Sequence, residues 1–205
     1  GAVGNGTSCR LGKYTDTNMS STTSSTTDAK VGLLRLGELM SGQLNRYGNN
    51  TNYWTLTPYN SSNVRYVDSS GYASTYSPSN ANGVRPSINL KSNVRIVDGD
   101  GTVDNPYRLN GDNDTELSGT LLSSRYSGEY ITFGSGENNL YRIVSHENGI
   151  GTKITSAVPL KNSGTFITSA FGSNTTFSST NTVGTFLNND YLNIGNSYLT
   201  TEDIA

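Results

Sequence analysis

The feature that most constrains the fold is a series of short strand patterns, separated by turn signals, between residues 53 and 90. Runs of β-branched and aromatic residues predict strands at 53–57, 63–68, 71–76 and 84–90. The segments between them read Pro-Tyr-Asn, Ser-Gly and Ser-Pro-Ser-Asn, which are turn-forming sequences. Trp54 is the single tryptophan of the chain, and we expect it at the centre of a core.

The rest of the chain predicts further short elements around this stretch. An apolar run at 29–34 precedes a helix at about 35–44, and a strand follows at 91–97. Strands are predicted at 129–133, 139–145 and 151–157, a loop with aromatic anchors at 166–177, and a second helix at 180–191. These patterns predict an α+β fold of mostly short antiparallel strands with two short helices.

Composition excludes several classes of protein. The net charge of −2 argues against a nucleic-acid partner, which would require a basic face. No apolar run approaches the length of a membrane span. The hydrophobic content of 32% is low, but 13 tyrosines and few charges indicate polar strands rather than disorder. Cys9 is the single cysteine, so an internal disulfide is excluded, and we interpret it as a small, half-buried thiol.

Several motifs of the first half occur together in a known order. They are Tyr-Trp-Thr-Leu-Thr-Pro at 53–58, the valine-rich strand at 64–67, the glycine turn at 71, and Gly-Val-Arg-Pro-Ser-Ile at 83–88. In these motifs the chain resembles the C-terminal half of a bacterial C-type-lectin-like family. That family is distantly related in fold to the formylglycine-generating enzymes and to phage tropism-determinant lectins. The resemblance implies a C-type-lectin-like fold.

The second half of the chain resembles the N-terminal half of the same family. Its motifs are Gly-Glu-Tyr at 128–130, Tyr-Arg-Ile-Val at 141–144, Lys-Ile-Thr at 153–155 and Leu-Asn-Asn-Asp-Tyr-Leu at 187–192. The resemblance therefore predicts a C-terminal half at 1–109, a connector at 110–128 and an N-terminal half at 129–205, in reversed order. Gly1 and Ala205 are then expected to lie on the two sides of a break within one domain.

Three arrangements fit the reversed order. The halves close on each other within one chain, or the second half of one copy completes the core of the next copy, or the chain is one period of a tandem array. We expect one of the last two, because an isolated half-domain would expose a large apolar face. The residues expected to form this assembly core are Trp54, Val84, Ile88, Phe186, Leu187 and Tyr191.

Candidate sites for chemistry are few. Asp98 and Asp100 alternate with glycines, and Asp104 follows them, which makes the three a weak candidate for a calcium site; we favour a tight glycine-rich turn, because Asp and Gly are turn residues in their own right. His146 is interpreted as a lone surface histidine. The cysteine pair of the formylglycine-generating enzymes is lacking, and so are zinc spacing and a pair of carboxylates suited to acid–base catalysis. We therefore expect no enzymatic activity and no cofactor.

The remaining candidate is a shallow aromatic face of Tyr59, Tyr66, Tyr72 and Tyr76, which suits stacking on sugars but also ordinary cross-strand packing. The sequence thus favours a non-enzymatic, extracellular subunit of a bacterial surface filament or pilus-like fibre that assembles head to tail with copies of itself. The alternative is a soluble or surface adhesin that binds a glycan or a protein on a host surface.

Overall fold

A computed structural model describes residues 29–41, 50–109, 119–134, 136–147 and 151–191. The predictions for Cys9, for the termini and for most of the connector lie outside these residues. The strands are β1 Val31–Leu33, β2 Tyr53–Pro58, β3 Val64–Val67, β4 Ala73–Tyr76, β5 Ala81–Gly83, β6 Pro86–Lys91, β7 Arg95–Asp98, β8 Tyr107–Leu109, β9 Thr120–Leu121, β10 Tyr130–Thr132, β11 Leu140–Glu147, β12 Gly151–Ser156, β13 Lys161–Asn162, β14 Thr165–Phe166 and β15 Thr168–Ala170.

The helical segments are short. The α-helices are α1 Leu36–Ser41 and α2 Thr182–Thr185, and α2 continues directly into a π-helix at Phe186–Asp190. Single 3₁₀ turns lie at Leu122–Ser124 and Gly136–Asn138. No helix in the described ranges is long and apolar enough to cross a membrane. The protein is therefore mostly β-sheet with a few short helices, which confirms the predicted fold class at this coarse level.

The strands form one eight-stranded sheet, one five-stranded sheet and a small hairpin. The eight-stranded sheet has the order β1-β6-β12-β11-β10-β8-β7-β9, and the five-stranded sheet has the order β15-β5-β2-β3-β4. Neighbouring strands are antiparallel except for β8 with β10 and β2 with β5. Strands β13 and β14 make the hairpin.

Both sheets contain strands from both halves of the chain. In the large sheet, β6 of the first half pairs along its length with β12 of the second half, from Lys91 opposite Gly151 to Ser87 opposite Thr155. In the small sheet, β15 of the second half pairs with β5 of the first half. The two halves thus complete each other's sheets within one chain.

The side chain of Asn188, in the π-helix, fastens the second half to the edge of the large sheet. Its Oδ1 accepts a hydrogen bond from the Val31 N–H at 3.0 Å, and its Nδ2 donates to the Val31 carbonyl at 3.0 Å and to the Gly184 carbonyl at 2.9 Å. The amide therefore takes the place that a neighbouring strand would occupy beside β1. Asn188 lies within the wider turn of the π-helix, Phe186–Asp190.

One hydrophobic core lies between the two sheets and the π-helix. All six residues expected to form an assembly core belong to it: Trp54, Val84, Ile88, Leu187 and Tyr191 are buried, and Phe186 is packed against them partly exposed. The Trp54 ring nitrogen donates to the Ser169 carbonyl at 2.8 Å, and the Tyr141 and Tyr191 hydroxyls are hydrogen-bonded to each other. Closure within one chain, the arrangement that we did not favour, accounts for the described core without a neighbouring copy.

A second, smaller cluster covers the opposite face of the large sheet. It contains residues of α1 and the segment before it, together with Tyr53, Val67 and Val144. Val144 belongs to this cluster because it follows Ile143 of the main core in β11, and successive side chains of a strand point to opposite faces. Lys153 of β12 also binds Glu38 of α1 at 2.6 Å, so the helix is held to the sheet by a half-buried ion pair.

Two segments differ from the predicted elements. The strand expected at 84–90 is β6, which begins at Pro86, where the chain enters the large sheet, and the segment before it contains a strand of the small sheet, β5, that was not predicted. The loop expected at 166–177 contains β15, which the polar sequence Thr-Ser-Ala does not reveal by itself. Both differences arise from pairing with distant strands rather than from local preference.

Candidate functional site

The four tyrosines of the expected aromatic face do not form one surface. Tyr66 and Tyr76 lie with Trp54 on one face of the small sheet, with ring centroids 5.8 to 6.5 Å apart. Tyr59 lies with Arg65, the residue next to Tyr66 in β3, and adjacent residues of a strand point to opposite faces. Tyr66 therefore packs against the hydrophobic core, and the Tyr76 ring is the part of this cluster that is exposed to solvent.

Tyr59 and Arg65 form a stacked pair at the tip of the β2–β3 hairpin, which we call the Tyr59 platform. The Arg65 guanidinium carbon is 4.3 Å from the centre of the Tyr59 ring, and Tyr59 is 48% exposed. One face of the ring is thus held by the guanidinium, while much of the remainder is open to solvent. The arrangement presents an aromatic surface whose orientation is fixed before any ligand arrives.

The hairpin tip that carries Tyr59 is ordered by its own hydrogen bonds. The Asn60 side-chain oxygen accepts from the N–H groups of Ser62 and Asn63 at 2.8 Å each, and the Tyr59 N–H donates to the Asn63 carbonyl at 2.9 Å. These bonds make an Asx-type turn, which asparagine favours because its side chain reaches the backbone two residues later. The platform therefore stands on a closed turn rather than on a free loop.

Arg65 retains its capacity to donate hydrogen bonds. Within the described part of the chain, its guanidinium stacks on Tyr59 and forms no salt bridge or hydrogen bond. A planar guanidinium offers five N–H donors in a fixed geometry that suits carboxylates and vicinal hydroxyls. Thr75 lies directly opposite Arg65 in the β3–β4 pairing and adds a hydroxyl to the same face. An aromatic ring, a free cation and hydroxyl groups are the means by which proteins bind sugars.

Two of the three aspartates of the possible calcium site, Asp98, Asp100 and Asp104, engage in other contacts. Asp98 lies 3.9 Å from Arg108 and accepts from the Gly99 N–H, while Asp100 accepts from the Thr102 N–H and hydroxyl at 3.0 and 2.7 Å. These bonds from Thr102 hold the pKa of Asp100 below its ordinary value. No group of three potential metal-ligating side chains occurs among the residues that the structure describes. The segment is a glycine-rich turn that packs on Tyr107.

Arg85 is a buried cation that the sequence did not single out for a role. It is 1% exposed, and it donates from Nε to the Ser156 carbonyl at 2.8 Å and from Nη2 to the Ala157 carbonyl at 3.1 Å. Its Nη1 lies 3.4 Å from the Tyr53 hydroxyl. Burial lowers the pKa of Arg85, and the nearby tyrosines oppose that shift. The Gly-Val-Arg-Pro motif was the available signal, and the structure gives its arginine a role in fixing the end of β12.

A second cluster that sequence reasoning missed lies at the end of the β11–β12 hairpin. Glu129 accepts from Arg125 at 2.9 and 3.2 Å and from the Tyr126 N–H at 2.8 Å. His146, expected as a lone surface histidine, donates from Nε2 to the Arg125 carbonyl at 2.6 Å and has the Thr152 hydroxyl 2.9 Å from Nδ1. The cluster is fully paired, so we interpret it as a structural latch.

Comparison with known protein families gives a match over the first part of the chain. Residues 11–92 match the model of a domain family of unknown function, DUF6273, which covers fewer than half of the 205 residues. No curated protein and no solved structure matches the chain. The matched range contains the Tyr59 platform and Arg85, but the family carries no assigned activity.

Proposed function

We propose that the protein is a non-enzymatic, extracellular adhesion module of bacterial origin, with a C-type-lectin-like fold, that binds a glycan at the Tyr59 platform. The observation that carries the proposal is a half-exposed tyrosine ring stacked on an arginine that has no other partner among the described residues. Sugars present apolar C–H faces that stack on such rings, and hydroxyl or carboxylate groups that accept hydrogen bonds from arginine.

The platform favours saccharides that carry a carboxylate. Because Arg65 is unpaired by any described acid, a ligand carboxylate restores the bidentate pairing that arginine commonly makes in proteins. The site is shallow and lies on the surface, so we expect weak binding by one site, with an appreciable dependence on salt. Neutral sugars are expected to bind more weakly through stacking alone.

The test is a glycan array that contains neutral and carboxylate-bearing saccharides, followed by calorimetry on the best ligands. Tyr59→Ala and Arg65→Gln are each expected to weaken binding about tenfold, because a stacked ring or a charged hydrogen bond contributes on the order of 1–2 kcal/mol. Tyr126→Ala is a matched control: Tyr126 is 71% exposed and also lies beside an arginine, but that arginine is paired with Glu129. Absence of binding to any saccharide, or full affinity in Tyr59→Ala, would reject the proposal.

The filament subunit remains a second candidate, but by a route that differs from our expectation. Complementation between half-domains was motivated by an exposed apolar face, and that face is covered within one chain. The observation that still favours self-association is an open strand edge at β4 in the small sheet, and a fibre requires a second, different contact between copies in addition to it. Electron microscopy of concentrated protein separates the candidates, since fibres support the subunit and a uniform population of small particles supports the adhesin.

A further inference from the structure

The two edges formed by β1 and β4 are treated differently by the fold. At β1, the Asn188 amide binds both backbone groups of Val31 and so occupies the position of the next strand. At β4, the last strand of the small sheet, no described element lies beyond it. Proteins usually protect such edges with charges, prolines or covering segments, and the sequence Ala-Ser-Thr-Tyr of β4 contains neither a charge nor a proline.

The pairing of β3 with β4 determines which backbone groups face outward. The Asp68 N–H donates to the Tyr72 carbonyl at 2.9 Å, so that pair is a hydrogen-bonded pair of the antiparallel ladder. Hydrogen-bonded and non-hydrogen-bonded pairs alternate, so Ser74 and Tyr76 also point their backbone groups at β3. The N–H and C=O groups of Ala73 and Thr75 therefore point away from the sheet, at its open edge.

We propose that this edge binds β4 of a second copy of the chain, antiparallel and across a two-fold axis that passes beside Ser74. In that register Ala73 of one copy lies opposite Thr75 of the other, and the outward N–H and C=O groups of both residues are satisfied. The contact is isologous, because the same strand supplies both sides of it.

The side chains of β4 fit the same register. Tyr72 of one copy comes to lie opposite Tyr76 of the other, on the face of the sheet that carries Trp54; the two side chains are 53% and 43% exposed in the single chain. Cross-strand aromatic pairs are favourable, and no like charges meet, because residues 72–76 carry no charge. Two exposed tyrosines of each copy are thereby partly covered.

The proposed β4–β4 contact is compatible with ligand binding at the Tyr59 platform, although it does not depend on that binding. The Tyr59 platform is on the opposite face of the small sheet from Tyr66 and Tyr76, so it remains open in the pair. Two platforms on one particle raise the strength of attachment to a surface with many identical glycans through multivalency. A two-fold joint ends at two copies, so it does not by itself build a filament.

The first test replaces Thr75 by proline. Proline removes the outward N–H of Thr75 but no hydrogen bond of the β3–β4 ladder, and edge strands tolerate proline at such positions. By sedimentation equilibrium we expect the wild type to be a dimer. Thr75→Pro should raise the dimer dissociation constant at least about tenfold, because the two symmetry-related hydrogen bonds donated by the Thr75 N–H groups are lost. Thr75→Val keeps the N–H and is expected to remain a dimer.

The second test does not depend on how Thr75→Pro folds. In a Cys9→Ser background, Ser74→Cys places two thiols opposite each other at the axis, within the distance that a disulfide spans. With oxidised glutathione as the oxidant, Ser74→Cys is expected to form a covalent dimer much faster than Thr75→Cys, whose thiols lie diagonally apart. A monomeric wild type at about 100 μM, which is a generous concentration for a specific dimer, or equal cross-linking of the two variants, would overturn the proposal.

Discussion

Replacing Asn188 by alanine should destabilise the protein more than any other single change on the surface of the π-helix. The side chain makes three hydrogen bonds, two to Val31 and one to Gly184, at 2.9 to 3.0 Å. Val31 is fully buried, so its N–H and C=O cannot turn to water when the amide is removed. The change therefore leaves unsatisfied polar groups inside the protein.

The size of the effect follows from these bonds. At about 1 kcal/mol for each of three hydrogen bonds, the free energy of unfolding should fall by about 3 kcal/mol. That is a large fraction of the 5–15 kcal/mol typical of a folded protein, and for a chain of this length it corresponds to a melting temperature about 6–12 °C lower. Asn188→Asp keeps the acceptor for the Val31 N–H but cannot donate, so we expect it to be destabilised as well.

Urea unfolding followed by the fluorescence of Trp54 measures this change, since Trp54 is buried and is the single tryptophan. Thr185→Ala is the control, because Thr185 is exposed in the same helical segment. Each variant should be measured at two protein concentrations tenfold apart, so that any contribution of association is detected. If Asn188→Ala matches Thr185→Ala within about 0.5 kcal/mol, the usual scatter of surface substitutions, the role of Asn188 in joining the halves is refuted.

Two other side chains give predictions of the same kind. Arg85→Lys should lower the free energy of unfolding by about 2–4 kcal/mol, because an ammonium group cannot reach the Ser156 and Ala157 carbonyls together and remains a buried charge. Thermal unfolding measures this loss, with the exposed substitution Arg108→Lys as the control. Partial burial alone would raise the pKa of Glu129, but hydrogen bonds from Arg125 and the Tyr126 N–H outweigh it and lower the pKa below its ordinary value. Because the pKa of Glu129 is lower in the folded protein than in the unfolded chain, where it is about 4.3, the ionised carboxylate stabilises the fold above that pH. This stabilisation is lost as the pH falls through the folded pKa. Urea titrations should therefore show that the difference in unfolding free energy between wild type and Glu129→Gln shrinks between pH 6 and pH 3.

The sequence predicted the elements that local pattern defines. The strands at 53–58, 64–67 and 73–76 alternate in side-chain character and are bounded by turn residues, and their positions are confirmed within two residues. The helix at 180–191 was also predicted correctly in extent, because Val183 and Leu187 recur at helical spacing. Its change from α to π hydrogen bonding was not predicted, because the spacing of the apolar residues does not distinguish the two.

Elements that exist through distant partners were missed. β15 is a three-residue strand whose sequence is polar, and it forms because it pairs with β5, which lies almost ninety residues earlier in the chain. The division of the four tyrosines followed from the alternation of β3, which places Arg65 and Tyr66 on opposite faces. That alternation was visible in the sequence, whereas the position of Tyr59 over Arg65 depended on the geometry of the turn.

The expectation about how the two halves combine was limited for a different reason. The reversed order of the motifs indicated that two halves must meet, but sequence motifs do not specify whether the partner belongs to the same chain. In the structure, the register of β6 with β12 and the contact of Asn188 with Val31 supply the partner from within. In the described residues, the apolar face that we expected to be exposed is thereby covered by the other half of the same chain.

The most direct test of this closure is an isotope-mixing cross-link between β6 and β12. Ser87→Cys and Thr155→Cys, which lie opposite each other, are introduced in a Cys9→Ser background and prepared as light and heavy-nitrogen chains. The two preparations are mixed in denaturant, refolded together, oxidised, digested and analysed by mass spectrometry. Closure within one chain predicts that the cross-linked peptides are light with light or heavy with heavy. If light–heavy pairs form about half of the cross-links, as random pairing between copies of a heterologous assembly requires, a neighbouring copy completes the sheet and closure within one chain is contradicted.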